Sequence, residues 1–343
     1  LKNLISIQQK IVPEIIELLE KRYTILRTIY FNQPLGRRTL ADLTGTGERI
    51  VRAEVNFLKG QGLVIIDQSG MTVTNEGEEI IDSLKDFIRE IKGLSFIEDT
   101  IKSGLGFKKV IVVPGNADED KDVIKEMGRA GALYVKGIIK DNDIIAVTGG
   151  TSVNELVKGM PQGMNKSNLL VVPARGGMGR LVEIQASTLA QRLAEKLGAG
   201  YKLLHVPDVM SKATFETIIN EPSIKDIIES IQNANLLIHG IGRTDEMAKR
   251  RGLSDKEFEE LTEKGAVGEA FGYYFDKDGN IVGKASTIGL NFENVKNIDN
   301  IVAIAGGSGK AIAISAAKSF NKNCILVTDE GAAKEIVKLI HRK

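Results

Sequence analysis

Apolar side chains recur every three or four positions through the first ninety residues and gather into short β-branched runs after that. Ile15, Ile16, Leu19, Ile25, Leu26 and Ile29 predict a helix that opens at Pro13 and Glu14, with proline in a tolerated first-turn position, and stops near residues 32–34. A short apolar-rich lead-in precedes it. Leu40 and Leu43 place a second helix from about Arg37, and Thr44, Gly45 and Thr46 make a tight turn into a third over residues 47–59. Residues 63–66 and 71–74 flank Gln68, Ser69 and Gly70, a pattern that predicts a two-stranded ribbon.

From Val110 onward the pattern changes. Strand-like runs at residues 110–113, 144–147, 169–172, 201–206, 236–238, 301–305 and 325–327 alternate with helix-like segments from about Asp120, Thr151, Glu183, Lys212, Asp226, Ser254, Gly309 and Gly331. Runs apolar on both faces and spaced by helices predict an α/β domain built on a parallel sheet covered on both sides, with ligands at the carboxyl ends of its strands. No internal repeat or low-complexity tract interrupts it.

Between the two patterns, Ile80, Leu84, Phe87, Ile91 and Leu94 form a seam of about two heptads on a connecting helix. The seam suits either a coiled coil or packing onto the larger domain. Lys92 and Gly93 mark the boundary, which divides the chain into residues 1–92 and 93–343.

At 343 residues the chain is long enough for this two-domain reading, and no apolar run approaches the ~18 residues of a membrane span. The N-terminus lacks the basic, apolar and small-residue segments of a signal peptide, so the cytoplasm is the expected location and no membrane partner is expected. Cys324 is the one cysteine and lies in a strand-like run, as a core residue would. With His205, His239 and His341 as the only histidines, no Cys/His zinc site can be assembled, and neither a metal nor a cofactor is expected.

The net charge of +1 becomes informative once it is resolved along the chain. Residues 21–59 carry 8 basic against 3 acidic side chains, and residues 67–90 carry 7 acidic against 2 basic. Three helices followed by a hairpin is the winged-helix order, with the glycine turn of a helix-turn-helix. On the third helix Val51, Val55 and Leu58 form the inward stripe, while Arg49, Arg52 and Asn56 share the opposite face. Arginine reads guanine and asparagine reads adenine in the major groove. Arg37, Arg38 and Thr46, around the turn, complete the candidate DNA-binding set. The bland alternative is a small helical domain with a solvated basic face.

The larger domain carries three junctions where a strand-like run ends in glycines. One is Thr148, Gly149, Gly150, Thr151 and Ser152; the second is Pro173, Ala174, Arg175, Gly176 and Gly177; the third is Gly306, Gly307, Ser308, Gly309 and Lys310. Glycines admit close backbone approach to a phosphate, a helix N-terminus adds partial positive charge, and a helix starting near Thr151 gains a hydroxyl N-cap. Together the junctions predict one phosphate-binding rim. Gln185, at the start of a helix, and His239 to Gly242, at the end of a strand, belong to the same edge. Lys310 near the Thr151 loop, and Arg175 with Arg250 elsewhere on the rim, suit a ligand with two phosphates. Glu269, on the strand-like stretch 266–274, suits sugar hydroxyls as an acceptor. Arg250 and Arg251 read equally well as a surface charge run, and Glu269 as an exposed strand residue.

These residues resemble the SorC family of bacterial sugar-responsive regulators. The likeness spans essentially the full length, with a winged-helix N-terminus fused to a sugar-phosphate isomerase-like, glucosamine-6-phosphate deaminase-type α/β domain. It implies a homo-oligomeric repressor, from homodimer to homotetramer, that binds operator double-stranded DNA. The implied effector is a phosphorylated sugar, fructose 1,6-bisphosphate, whose binding weakens repression of an operon for the triose-phosphate stage of glycolysis. Carried over by position, the resemblance puts one phosphate on Thr151, Ser152 and Lys310, beside Gly149 and Gly150, and gives Arg175, Gln185, Arg250 and Glu269 the rest of the sugar. Ser152 stands where threonine is expected, which keeps the hydroxyl.

The same fold resembles sugar-phosphate isomerases and deaminases, so catalysis is the rival reading. The deaminases follow a Gly-Ile-Gly turn with Asp-Gly-His, whose carboxylate and histidine move protons. Here Gly240, Ile241 and Gly242 lead into Arg243, Thr244, Asp245 and Glu246, with no histidine until His341. Binding chemistry is present and an acid/base set is not. A lone carboxylate, Glu269 or Asp245, is what remains for a base, and the expectation is a protein that is not an enzyme.

Overall fold

The computed structural model describes residues 11–163, 166–177, 181–206, 212–285, 287–317 and 322–342, which fall into two units, Leu1–Ser95 and Phe96–Lys343. The apolar-rich lead-in lies outside the described residues.

The first unit follows the expected order. Helices α1 (Pro13–Asn32), α2 (Arg37–Thr44) and α3 (Glu48–Gly60) precede an antiparallel ribbon of β1 (Val64–Ile66) and β2 (Met71–Val73), and α4 (Asn75–Ile91) closes the unit. Gly45 ends α2 with φ near 61°, a conformation that glycine adopts without strain, and its amide returns to the carbonyls of Ala41 and Asp42. The ribbon turn is held by the Asp67 carboxylate, which accepts from the Ser69 amide and hydroxyl and from the Gly70 amide. Tyr23, Leu26, Ile29, Leu40, Val51, Val55 and Leu58 form the core with Met71, Ile81 and Ile88.

The expected seam on α4 is drawn only in part into this unit's core, where Leu84 packs. Ile81 and Ile88 are buried while Ile80 is exposed, and the helix stops before Gly93, whose φ is 64°. Leu94 begins the next helix, α5 (Leu94–Leu105). Ile81 and Ile88, two turns apart, join this unit's own core, and the break at Gly93 ends the helical stripe before Leu94.

The second unit is organised by seven parallel strands: β3 (Lys109–Val113), β4 (Ile144–Val147), β5 (Leu170–Pro173), β6 (Gly200–Tyr201), β7 (Leu236–Gly240), β12 (Asn300–Ile304) and β13 (Cys324–Asp329). Their spatial order is β3-β13-β12-β7-β4-β5-β6. From β4 the chain moves outward to β5 and β6, then returns to β7 on the other side of β4 and continues to β12 and β13. The reversal leaves a crevice beyond the carboxyl ends of β4 and β7, where ligands of such sheets sit. Residues 202–206 leave the strand that the sequence predicts there, since β6 is an edge with one neighbour.

Helices α6 (Asp122–Ile138), α7 (Thr151–Gly159) and α8 (Ala186–Leu197) cover the sheet with Met127, Val135, Leu156, Leu189 and Leu193 against Val147, Val171, Ile238, Ile304 and Val327. Further elements are α9 (Lys212–Ile218), α10 (Pro222–Gln232), α11 (Thr244–Arg251), α12 (Asp255–Glu263), α13 (Phe292–Lys296), α14 (Ala311–Ala316) and α15 (Glu330–His341). Cys324 is buried, and burial pushes its thiol up to about 12, as befits a core residue.

A second sheet was not legible in the strand pattern. Strands β8 (Gly242–Arg243), β9 (Ala266–Ala270), β10 (Tyr273–Asp276) and β11 (Ile281–Lys284) form an antiparallel sheet in the order β11-β10-β9-β8. The stretch 266–274, expected as one strand, is a hairpin that turns at Phe271 and Gly272, both with positive φ. Its register sets Glu269 opposite Gly242, just past the end of β7.

Candidate functional site

The loop after β4 is shaped by its neighbours. A Cβ on Gly149 would meet the Ile184 carbonyl oxygen at 2.5 Å, and the Gly150 amide donates to that same oxygen at 2.9 Å. Gly150 itself is the N-cap of α7, with φ 127° and no side chain capping the helix. This corrects the expected hydroxyl cap: Thr151 is the first helical residue. Asn154 is the first amide to bond back, to the Gly150 carbonyl, so the amides of Thr151, Ser152 and Val153 have no acceptor among the described residues. Neither hydroxyl of Thr151 and Ser152 is used in capping, and the loop is open to an anion.

The loop after β12 corrects the sequence reading further. Its amides are already taken: Gly307 donates to Asp329 Oδ2 at 2.8 Å, Ser308 to Asn116 Oδ1 at 3.2 Å and Gly309 to Asp118 Oδ2 at 2.9 Å. Two carboxylates and the Asn116 carboxamide occupy this nest, and in the loop after β5 the amides of Ala174, Gly176 and Gly177 donate to the carbonyls of Val147, Ile288 and Val206. Among the described residues the loop after β4 is therefore the one of the three whose amides stay open to phosphate. Lys310 still belongs to the site, because it lines a small cavity of about 70 Å³ with Thr151, Ser152, Gly240, Glu246, Arg250 and Glu269.

A larger cavity of about 600 Å³ adjoins it, lined by Arg175, Gln185, Lys249 and Arg250 with Leu181 and Ile184. Gly149, Gly150, Arg175 and Arg250 border both spaces. Gly149, Gly150, Thr151, Ser152, Arg175, Gln185, Arg250, Glu269 and Lys310 each border one or both of these adjoining cavities at the carboxyl edge of the sheet, whereas His239 and the loop of residues 306–309 line neither.

Glu269 and Arg175 are not exposed groups. Arg175 Nη1 lies 3.3 Å from Glu269 Oε1, and Arg251 Nη2 donates to that oxygen at 2.8 Å; the three side chains are 6%, 3% and 0% exposed. The Gly272 amide donates to Oε1 as well. Burial works to raise the Glu269 carboxyl, but the Arg251 and Arg175 charges and these hydrogen bonds hold it below the ordinary carboxylate range. Arg251, which reads in the sequence as part of a surface charge run with Arg250, is a buried partner of Glu269 instead. The signal was present in the sequence: Thr244, Met247, Ala248 and Arg251 are spaced i, i+3, i+4, i+7, the inward stripe of α11. Asp245, the other candidate base, is held by Arg243 at 2.6 Å.

His239, at the end of β7, packs edge-on against Phe271 at 5.3 Å. Its Nδ1 lies 3.0 Å from the Gly240 carbonyl, which assigns the proton of the neutral ring to Nδ1. Burial lowers its pKa to about 4, against the opposing pull of the Gly240 carbonyl and Glu269, so the ring is uncharged at neutral pH.

In the first unit Arg49, Arg52 and Asn56 are exposed on one face of α3, with Val51, Val55 and Leu58 inside. Arg38 is exposed, and Arg37 and Thr46 are half-buried. The basic excess counted along this stretch shrinks in three dimensions. Lys21 and Arg22 pair with the buried Glu54 at 2.7 and 2.8 Å, Arg22 also covers the Phe57 ring at 3.6 Å, and Arg27 is buried.

Among the described residues no helix is long and apolar enough to cross a membrane, and no group of three or more His, Cys, Asp or Glu is arranged to hold a metal. The family model described as "Putative sugar-binding domain" matches residues 89–338, and the one described as "CggR N-terminal DNA binding domain" matches residues 18–88. The central glycolytic genes regulator of Priestia megaterium is 43% identical over 339 residues, covering 98% of this chain and 99% of that protein. Its counterpart from Bacillus subtilis is 41% identical over 338 residues with the same coverage. A crystal structure of a SorC family transcriptional regulator from Enterococcus faecalis, 39% identical, aligns with a TM-score of 0.66 over 70% of this chain and 99% of that one. The chain belongs to this SorC family of transcriptional regulators, joining an N-terminal DNA-binding domain to a sugar-binding domain, and it is not an enzyme.

Proposed function

We propose that the protein is a cytoplasmic repressor of glycolytic genes that releases its operator when the sugar-binding domain takes up fructose 1,6-bisphosphate. Residues 1–92 read DNA through Arg49, Arg52 and Asn56 in the major groove, with Arg37, Arg38 and Thr46 on the flanking backbone. Residues 93–343 bind the effector and assemble the chain into a homodimer or homotetramer, which doubles the half-sites that one small recognition helix can read.

The observation that carries the reading is the two-ended opening. The smaller cavity offers the Thr151 and Ser152 amides and hydroxyls with Lys310, the larger offers Lys249 and Gln185, and Arg175 and Arg250 border both. Two adjoining cationic cavities suit two phosphates, and the Glu269 carboxylate in the smaller one suits the hydroxyls of a sugar. Regulation requires the effector to bind one arrangement of the assembled repressor more tightly than another. Titrating a repressor–operator complex with fructose 1,6-bisphosphate tests this. Release at effector concentrations where fructose 6-phosphate has no effect supports the reading, and indifference to both sugars refutes it.

A further inference from the structure

We infer that Arg251 is a positioning residue for effector recognition: it holds one oxygen of Glu269 and so presents the other oxygen to a hydroxyl of the bound sugar. The inference rests on the sugar-bisphosphate reading above and assigns a role to an arginine that the reading leaves out.

Three donors converge on Glu269 Oε1, namely Arg251 Nη2, Arg175 Nη1 and the Gly272 amide. Among the described residues none reaches Oε2, and Glu269 borders the cavity that holds Lys310 and Thr151. One oxygen is thereby fixed and the other is left for a ligand. A carboxylate free to rotate would offer a hydroxyl no defined acceptor.

Of the two arginines, Arg251 holds the tighter contact. Its side chain is wholly enclosed, it approaches Oε1 more closely than Arg175 does, and its Nη1 donates to the Tyr274 hydroxyl at 2.8 Å. The planar guanidinium holds Glu269 through Nη2 and Tyr274 through Nη1, two bonds in one rigid plane. Arg175 differs because it borders both cavities. A buried carboxylate needs a cation beside it.

The test uses the full chain and two probes with the same phosphate pair. Fructose 1,6-bisphosphate carries hydroxyls between its phosphates, and 1,6-hexanediol bisphosphate does not. Arg251→Met is expected to weaken binding of the sugar bisphosphate about tenfold, the size of one hydrogen bond to a charged acceptor, and to leave the diol bisphosphate within about twofold. The loss should deepen as pH falls from about 8 to about 5.5, because Glu269 without Arg251 takes up a proton more readily. Tyr274→Phe removes the second anchor of Arg251 without touching Glu269, and should show the same selective loss at smaller size, including where Arg251→Met does not fold. Equal weakening of both probes, or of neither, overturns the role of Arg251. If the unaltered chain binds neither probe, the sugar-bisphosphate reading itself fails.

Discussion

Oδ2 of Asp329 accepts the amide of Gly307 at 2.8 Å and, with the same oxygen, the amide of Ala117 at 2.6 Å. Its other oxygen caps α15 by accepting from Ala332 at 2.9 Å. One enclosed carboxylate therefore ties the loop that carries Lys310 to the loop after β3 and to the last helix. Asp329→Ala leaves three amides without their acceptor, and the expected cost is about 3 kcal/mol or more. The denaturation midpoint should fall accordingly, and effector affinity should fall with it, because Lys310 loses the support of its loop.

On the DNA side the structure separates cations that are engaged from cations that are available. Arg52→Ala should cost about 1–3 kcal/mol of operator affinity, the usual value of a base contact, while leaving the thermal shift with sugar bisphosphate unchanged. Lys21→Ala should leave the salt dependence of operator binding as it was, because Lys21 already neutralises Glu54. Operator affinity and the melting shift check the first expectation, and the slope of log affinity against log salt checks the second.

Lys310→Ala and Thr151→Val each remove a donor from the same end of the opening. At an effector concentration about a hundredfold above its Kd, the unaltered protein gains about 3 kcal/mol, and both variants should lose most of that gain in a melting experiment. Operator affinity without effector should not change.

Stability should also depend on pH through His239. The folded ring titrates at about 4 and a free histidine near 6.5, so between these values the unfolded chain holds a proton that the folded one refuses. Stability is complete above about pH 6.5 and declines as pH falls toward 4, by up to ~1.4 kcal/mol per pH unit and about 3 kcal/mol in all. His239→Gln should flatten the upper part of that decline, above the range in which carboxylates titrate. Chemical denaturation across this range measures it.

Periodicity revealed most of the architecture because one face or both faces of each element are buried: Val51, Val55 and Leu58 on α3, and the runs at β4, β7 and β12, stand where the spacing places them. The smaller sheet was illegible because its strands are short and its tight turn at Phe271 and Gly272 lies inside an apparently continuous run. At the opening, residue types showed which groups gather and not which are already engaged. Gly307 and Gly309 read as phosphate ligands until Asp329 and Asp118, distant in sequence, are seen to accept their amides. Charge counting failed in the same way at Lys21 and Arg22, whose partner Glu54 lies about thirty residues further along the chain.

Calorimetric titration of the full chain with fructose 1,6-bisphosphate and, separately, fructose 6-phosphate addresses the two-ended opening most directly. Tighter binding of the bisphosphate, reduced to the level of the monophosphate by Lys310→Ala, is the predicted result. Equal affinity for the two sugars in the unaltered protein would contradict it.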